Sequence, residues 1–202
     1  TVKNDNIYIR KFQEGIRLKQ HRPIEGKIKH ATIAQNRSGQ YFAFICVERN
    51  IPKLTPNNNK VGLDMGIKNL VTCSDGKVFE NIRPYKNLQR RLRILHKSLG
   101  RKVKGSHNYA RAKRVLAKCH QKIADIRSSY LHQVSRSLIN ENQVIVVEDL
   151  NVKGMMTNRR LAKSVADVSL SELVRQIEYK AGWYGREFIK ISRWFPSSKT
   201  CH

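Results

Sequence analysis

Val61-Gly62-Leu63-Asp64-Met65-Gly66 places one carboxylate inside an otherwise apolar run. Burying an unpaired ionised Asp costs several kcal/mol, so Asp64 needs a cation, a hydrogen-bond network or a strand end open to solvent. The run continues into Leu70-Val71-Thr72-Cys73, the turn Ser74-Asp75-Gly76 and then Val78-Phe79. Three short apolar segments with tight connections predict an antiparallel meander. The same character returns in Gln143-Val144-Ile145-Val146-Val147, which passes at once into Glu148-Asp149-Leu150, and Glu187-Phe188-Ile189-Lys190-Ile191 predicts a final strand.

The segments between these strands have helical periods. Leu88, Leu92, Leu95 and Leu99 are spaced 4-3-4 and form one stripe. Leu116, Cys119, Ile123, Ile126, Tyr130, Val134 and Leu138 form another, and Gly100 and Gly105 bracket the basic loop between them. This predicts an antiparallel helical hairpin. Residues 151–164 read as a basic loop containing Gly154, and Ser164 to Gly182 as a helix with Val168, Leu170, Leu173, Ile177 and Tyr179 mostly turned inward. Meander, helices, a strand ending in Glu, helix, strand is the ribonuclease H-like order, a mixed α/β sheet.

Upstream, residues 1–50 read as β: Ile7-Tyr8-Ile9, then Lys27–Gln35 and Gln40–Glu48 joined by Asn36-Arg37-Ser38-Gly39. Tyr41-Phe42-Ala43-Phe44-Ile45-Cys46-Val47 is continuously apolar and predicts a buried strand. Pro52, Pro56 and Asn57-Asn58-Asn59 give 52–59 the composition of a linker, so a domain boundary is placed within it.

The charge fixes the class of partner. The 202 residues carry 40 Lys+Arg against 15 Asp+Glu, a formal charge of +25. Between Asn81 and Ala124 there are 14 Lys/Arg and no Asp/Glu, although like charges at i,i+4 destabilise a helix. A solvated face is the bland reading; a polyanion lying along both helices explains the single sign better. A hydrophobic content of 40% allows a core and excludes a disordered basic tail. No apolar run approaches the ~20 residues of a spanning helix, and no signal or lipidation pattern is visible, so no membrane partner is expected. The scattered Cys46, Cys73, Cys119 and Cys201 fit a reduced, cytoplasmic protein rather than a disulfide scaffold.

Two readings fit Asp64 and Glu148. Carboxylates at the ends of neighbouring strands are oxygen donors for Mg²⁺ or Mn²⁺, and two such ions would serve phosphodiester hydrolysis. Alternatively, Asp64 caps the turn at Gly66 and Glu148 pairs with a surface Arg. The basic surface joins with the first reading to suggest a nuclease.

At greater length these residues resemble a family. Gly62-Leu63-Asp64-Met65-Gly66-Ile67-Lys68-Asn69-Leu70 and Val146-Val147-Glu148-Asp149-Leu150-Asn151-Val152-Lys153-Gly154-Met155 resemble the first two RuvC motifs of TnpB-type (OrfB family) proteins. These are transposon-encoded RNA-guided DNA endonucleases related to the type V CRISPR effectors. Val174-Arg175-Gln176-Ile177-Glu178-Tyr179-Lys180-Ala181 and Phe195-Pro196-Ser197-Ser198-Lys199-Thr200-Cys201 resemble the family as well. GxDxG alone is a weak motif; four motifs in order, from about residue 60 to the end, are specific.

The resemblance implies a partition and a set of roles. Residues 57–202 would be a ribonuclease H-like RuvC domain with an inserted helical hairpin, truncated before its zinc ribbon. Residues 1–56 would be the C-terminal part of a wedge β-barrel that grips the guide RNA. Asp64 and Glu148 would be catalytic ligands for Mg²⁺ or Mn²⁺, and Cys201 the first Zn²⁺ ligand of the ribbon. The partners would be a guide RNA and a target DNA. Backbone contacts would come from Arg90, Arg91, Arg93, Lys97, Arg101, Lys102, Lys104, Arg111, Lys113, Arg114 and Lys118 of the hairpin. Lys68, Lys153, Arg159, Arg160 and Lys199 are further nucleic-acid candidates, with ordinary turn or solvated-loop roles as the competing reading for the first four. Trp194 and Phe195 suit core packing or base stacking, and Met155-Met156 suits gap filling.

The departures from the family are as informative. One Cys cannot make a four-ligand zinc site, and the family's third catalytic Asp follows the ribbon; Asp167, Glu172, Glu178 and Glu187 do not match it. The chain is therefore read as a stretch of a longer polypeptide, and by itself is expected to be inactive as a nuclease. A nuclease-dead RNA-guided DNA-binding regulator is the alternative, and a resolvase or plain ribonuclease H of the same fold ranks below both.

Overall fold

The computed structural model describes residues 2–3, 6–9 and 12–192. The chain divides into two compact units, Thr1–Asn50 and Ile51–His202.

The first unit is β. β1 (Val2–Lys3), β2 (Asn6–Ile9) and β3 (Phe12–Arg17) form a three-stranded antiparallel sheet, and β4 (Lys27–Gln35) with β5 (Tyr41–Glu48) forms a separate two-stranded ribbon. Its turn closes because the Asn36 side-chain oxygen accepts the backbone N–H groups of Ser38 and Gln40, both at 3.0 Å, while Gly39 takes the left-handed φ of 84°. The buried strand expected at Tyr41–Val47 is corrected: Tyr41, Phe42 and Phe44 are exposed. A two-stranded ribbon buries a face only when another layer covers it, and among the described residues of this unit none does.

The second unit is mixed α/β. Its elements are β6 (Lys60–Met65), β7 (Asn69–Cys73), β8 (Val78–Glu80), α1 (Pro84–Gly100), α2 (His107–Glu141), β9 (Val144–Glu148), α3 (Val152–Thr157), α4 (Ala162–Val168), α5 (Leu170–Tyr184) and β10 (Glu187–Ile191). The five strands lie in the order β10-β9-β6-β7-β8, with β9 parallel to both β6 and β10 and the meander antiparallel. The arrangement is consistent with a ribonuclease H-like fold.

Alternation decides what each strand buries. Val61, Leu63 and Met65 of β6 and Ile145 and Val147 of β9 are buried at 5% exposure or less, together with Leu131, Val134, Leu138 and Ile139 of α2 and Leu170, Leu173, Ile177 and Ala181 of α5. Thus α2 and α5 cover one face of the sheet. Farther along α2, Leu116, Cys119 and Ile123 pack with Leu92 of α1 in a second small core, which Leu88, Leu95 and Leu99 complete. A 35-residue helix spans roughly 52 Å, so α2 joins the sheet to the hairpin as one rod. Ile126, expected on the buried face, is exposed, because it falls between the two cores. Ser106 starts α2 by accepting the Tyr109 N–H at 3.1 Å, and α1 begins with Pro84.

Two polar locks hold the layers together. Lys180 of α5 donates to Ser135 Oγ at 2.6 Å and to the His132 carbonyl at 3.1 Å, and Ser135 Oγ meets Gln176 Oε1 at 3.0 Å, all between α5 and α2. Arg186 donates to the carbonyls of Ile139 and Thr55 and to Gln143 Oε1. The second lock, with Leu54 packed against the main core and its N–H on the Tyr184 carbonyl, ties down the Pro/Asn-rich segment that composition marks as a linker. Residues 151–164, expected as a loop, form α3 and the start of α4. The helix expected across Ser164–Gly182 breaks at Ser169, whose φ of 56° is left-handed.

Candidate functional site

The parallel pairing of β6 with β9 is registered at Lys60–Val144, Val61–Ile145, Gly62–Val146 and Leu63–Val147. The next residue on each strand is Asp64 on β6 and Glu148 on β9. Neighbouring strands lie about 4.8 Å apart, so the two carboxylates leave the sheet side by side. Leu63 and Val147 point into the core, so by alternation the Asp64 and Glu148 side chains start on the other side of their strands, while Glu148 at its strand end still borders Leu170, Val174 and Glu178 of α5. The row is completed by Thr72, which pairs with Asp64, and by Ile191, which pairs with Glu148. Asp64 is exposed and Glu148 half-buried. Both sit at the carboxyl ends of parallel strands, where open α/β sheets place their sites.

The sequence around Asp64 is built to hold this position. Gly62 donates to Ser74 Oγ at 3.0 Å and accepts from the Ser74 N–H at 2.9 Å. Gly66 donates to the Leu70 carbonyl, and a Cβ there would come within 3.3 Å of the Asn69 carbonyl oxygen, so the turn favours glycine. Asn81 clamps the turn by donating to the Ile67 carbonyl at 2.7 Å. After Glu148, Asn151 caps α3 by accepting the Gly154 N–H at 3.0 Å, and a Cβ on Gly154 would collide with that same side chain at 2.5 Å.

Glu148 also forms part of an open cavity of about 210 Å³. Met65, Leu150, Val152, Leu170 and Val174 form its apolar lining, with Asp149, Ser171, Arg175, Glu178 and Lys190 around them. Sequence reasoning passed over Asp149 and Glu178 as neighbours of Glu148. Asp149 directly follows Glu148, which is a visible signal; Glu178 reaches the cavity only through the packing of α5. Among the described residues no cluster of three or more His, Cys, Asp or Glu side chains is poised for a metal ion. The strand register brings together two carboxylates, Asp64 and Glu148.

Two of the other acids hold structural contacts. Asp167 is buried and accepts the Tyr85 and Lys86 N–H groups at 3.0 and 3.2 Å, so it caps α1 from α4, and it pairs with Arg127 of α2 at 2.9 Å. Glu172 is held by a bidentate Arg175 contact that lowers its pKa to about 2.

All eleven hairpin cations, from Arg90 to Lys118, are exposed, and among the described residues none forms an ion pair. They project from α1, α2 and the connection between them, while the apolar stripes pack inward. Lys68 is exposed on the turn after Asp64, and Arg83 donates to its carbonyl at 3.5 Å. Lys153 stands exposed on α3, and Arg159 and Arg160 are exposed between α3 and α4. Met156 is exposed rather than filling a gap, because α3 is short and buries no residue fully. Trp194, Phe195, Lys199 and Cys201 lie outside the described residues. Among those described, no helix is long and apolar enough to cross a membrane.

The model of the OrfB_IS605 family, described as "probable transposase", matches residues 44–159, more than half of the chain, including both carboxylates. The chain belongs to the OrfB_IS605 family. A second model, the Cas12f1-like TNB domain, matches residues 171–202. Among relatives of this OrfB_IS605 chain, a Streptomyces pristinaespiralis protein is 37% identical over 203 residues, covering 100% of this chain and 50% of its own length. It carries the name "Putative RNA-guided DNA endonuclease". Escherichia coli K12 InsQ, with the same description, is 30% identical over 215 residues, covering 98% of this chain and 53% of its own length. A TnpB-like protein of Acanthamoeba polyphaga mimivirus is 21% identical over 201 residues. The chain spans about half the length of the Streptomyces and Escherichia coli relatives.

Proposed function

We propose that the whole protein is an RNA-guided DNA endonuclease, with guide RNA and target DNA as partners, whose RuvC-type cleavage site is built on Asp64 and Glu148. The observation that carries this reading is their placement side by side, at the carboxyl ends of β6 and β9. Carboxylate oxygens suit Mg²⁺ or Mn²⁺. Bound there, a pair of such ions supplies Lewis-acid stabilisation of the charge that builds on a phosphodiester during hydrolysis. Asp64 and Glu148 position that charge, and Lys68, exposed on the turn that Asn81 clamps, offers a cation to a phosphate near Asp64.

Two carboxylates make an incomplete ligand set for such ions. In the same reading Cys201 begins a zinc ribbon, residues 1–56 belong to a wedge barrel that binds the guide scaffold, and the protein acts in the cytoplasm. The unpaired cations of the α1–α2 hairpin support a clamp on an RNA–DNA hybrid, read through its backbone while base pairing supplies sequence.

The competing reading is a nuclease-dead guided DNA-binding regulator, and the presence of both Asp64 and Glu148 counts against it. One experiment separates them. The complete protein is loaded with guide RNA and given matched target DNA with Mg²⁺. Cleavage that disappears in Asp64→Ala and Glu148→Ala supports the endonuclease. Cleavage that survives both substitutions overturns this site, and guided binding without cleavage by the unaltered protein identifies the regulator.

A further inference from the structure

Beyond the sheet site, α5 turns an aromatic and cationic stripe outward. Arg175, Tyr179 and Trp183 follow one another at intervals of four residues, so they lie along one side of the helix. Arg175 lies against Tyr179, its Cζ 5.4 Å from the ring centroid. Tyr179 and Trp183 meet edge to face with centroids 4.6 Å apart. Trp183 is nevertheless 51% exposed. Beside it, Arg136 of α2 sits 4.1 Å over the Tyr184 ring, and the aliphatic stem of Lys53 lies across Gly185.

Trp183 is an exposed ring braced by Tyr179, with cations against the neighbouring Tyr179, Tyr184 and Gly185, and among the described residues no cation covers its face. Trp, Tyr and Arg are the residues that dominate binding interfaces, and charge selects between occupants. Of the acids on α5, Glu172 pairs with Arg175 and Glu178 with Lys190, and Glu187 just beyond the helix is exposed. Among the described residues Arg136 and Lys53 have no acidic partner. The surface is therefore net positive with aromatic faces between the cations, which is how proteins hold unpaired nucleic-acid strands. A duplex hides its base faces, so only a single strand can use the rings.

We propose that the outer face of α5 binds a single strand of nucleic acid, stacking its bases on Trp183 with Tyr179 as the brace. Arg175 also lines the cavity beside Glu148, and Trp183 lies eight residues, roughly 12 Å, farther along the helix. The stripe thus forms a track leading from that cavity. The track's role for the strand being cut rests on the endonuclease reading; its capacity to stack bases does not.

The test uses the complete protein with its guide RNA in EDTA, so that no cleavage is required. A labelled oligothymidylate without complementarity to the guide is titrated at fixed salt against the unaltered protein, Trp183→Phe and Trp183→Ala. Trp183→Ala should weaken binding roughly five- to hundredfold. Trp183→Phe should recover most of the loss, and affinity for a non-target duplex of equal length should be unchanged. Thermal unfolding of each variant confirms that the fold is intact. Equal affinity of all three proteins for the oligothymidylate overturns the proposal. So does an equal loss on the duplex, or a change in oligomeric state of Trp183→Ala on sizing, which would mark the stripe as a protein interface. A cleavage-inactive protein can pass this test and an active one can fail it, so the two readings stand or fall separately.

Discussion

Asp64 and Glu148 stand one residue beyond Leu63 and Val147, the last registered pair of two parallel neighbouring strands, so the two acids share one edge of one sheet face. Groups that act as a unit give non-additive losses. Asp64→Asn and Glu148→Gln should each slow guided cleavage by at least about a hundredfold, since several kcal/mol of charge stabilisation is at stake. The double variant should be no slower than the worse single one. Single-turnover cleavage rates check this; losses that multiply would show that the two acids act independently.

Asp167 is structural. It ends two free N–H groups of α1 and neutralises Arg127, all while buried. Removing one partner of a buried pair strands the other. Asp167→Ala should cost about 3 kcal/mol, and Asp167→Asn, which keeps an acceptor, about 1–2 kcal/mol. Urea unfolding measures both. Guided cleavage per folded molecule should be unchanged, which a metal ligand would not allow.

Lys180 makes stability depend on pH in an uncommon direction. Burial, with Arg136 nearby, lowers its pKa from 10.5 to about 8. Below about pH 8 the folded protein bears the full cost of a buried charge. As pH rises from 8 toward 10.5 the unfolded chain holds more protons than the folded one, so this contribution raises stability, by at most about 3 kcal/mol. Lys180→Met lacks it. Unfolding free energies of the two proteins between pH 7 and 10.5 should therefore diverge in favour of the lysine, and parallel curves would show an ordinary lysine.

The hairpin cations predict a salt slope. Replacing Lys97, Arg101, Lys102, Lys104, Arg111 and Lys113 by Gln should flatten the log–log dependence of nonspecific DNA affinity on salt. Each residue that touches a duplex phosphate accounts for about 0.9 of the slope. Filter binding across a salt series measures it. A slope that does not change would remove the hairpin from the interface.

Much of this was legible in the chain. The short apolar runs at 61–66 and 143–147 and the leucine stripe at 88–99 carry their element types in their length and spacing. The carboxylates stood out because a charge inside an apolar strand has to be explained. Other features were not local. The exposure of Tyr41, Phe42 and Phe44 depends on whether a second layer covers the ribbon, and an apolar strand reads the same with or without one. The break at Ser169 places a non-glycine residue in the left-handed region, against its own preference, where Asp167 of α4 reaches α1.

By itself the sequence determined the order of elements, the sign of the surface and the two acids, since periodicity, net charge and a carboxylate within or at the end of an apolar run are properties of neighbouring residues. Only the tertiary structure decided that Asp64 and Glu148, 84 positions apart in the chain, share a row on one face. That follows from the parallel register of β6 and β9, which the packing of α2 and α5 fixes. The same packing turned Asp167 inward as a helix cap and left Trp183 standing outward on α5.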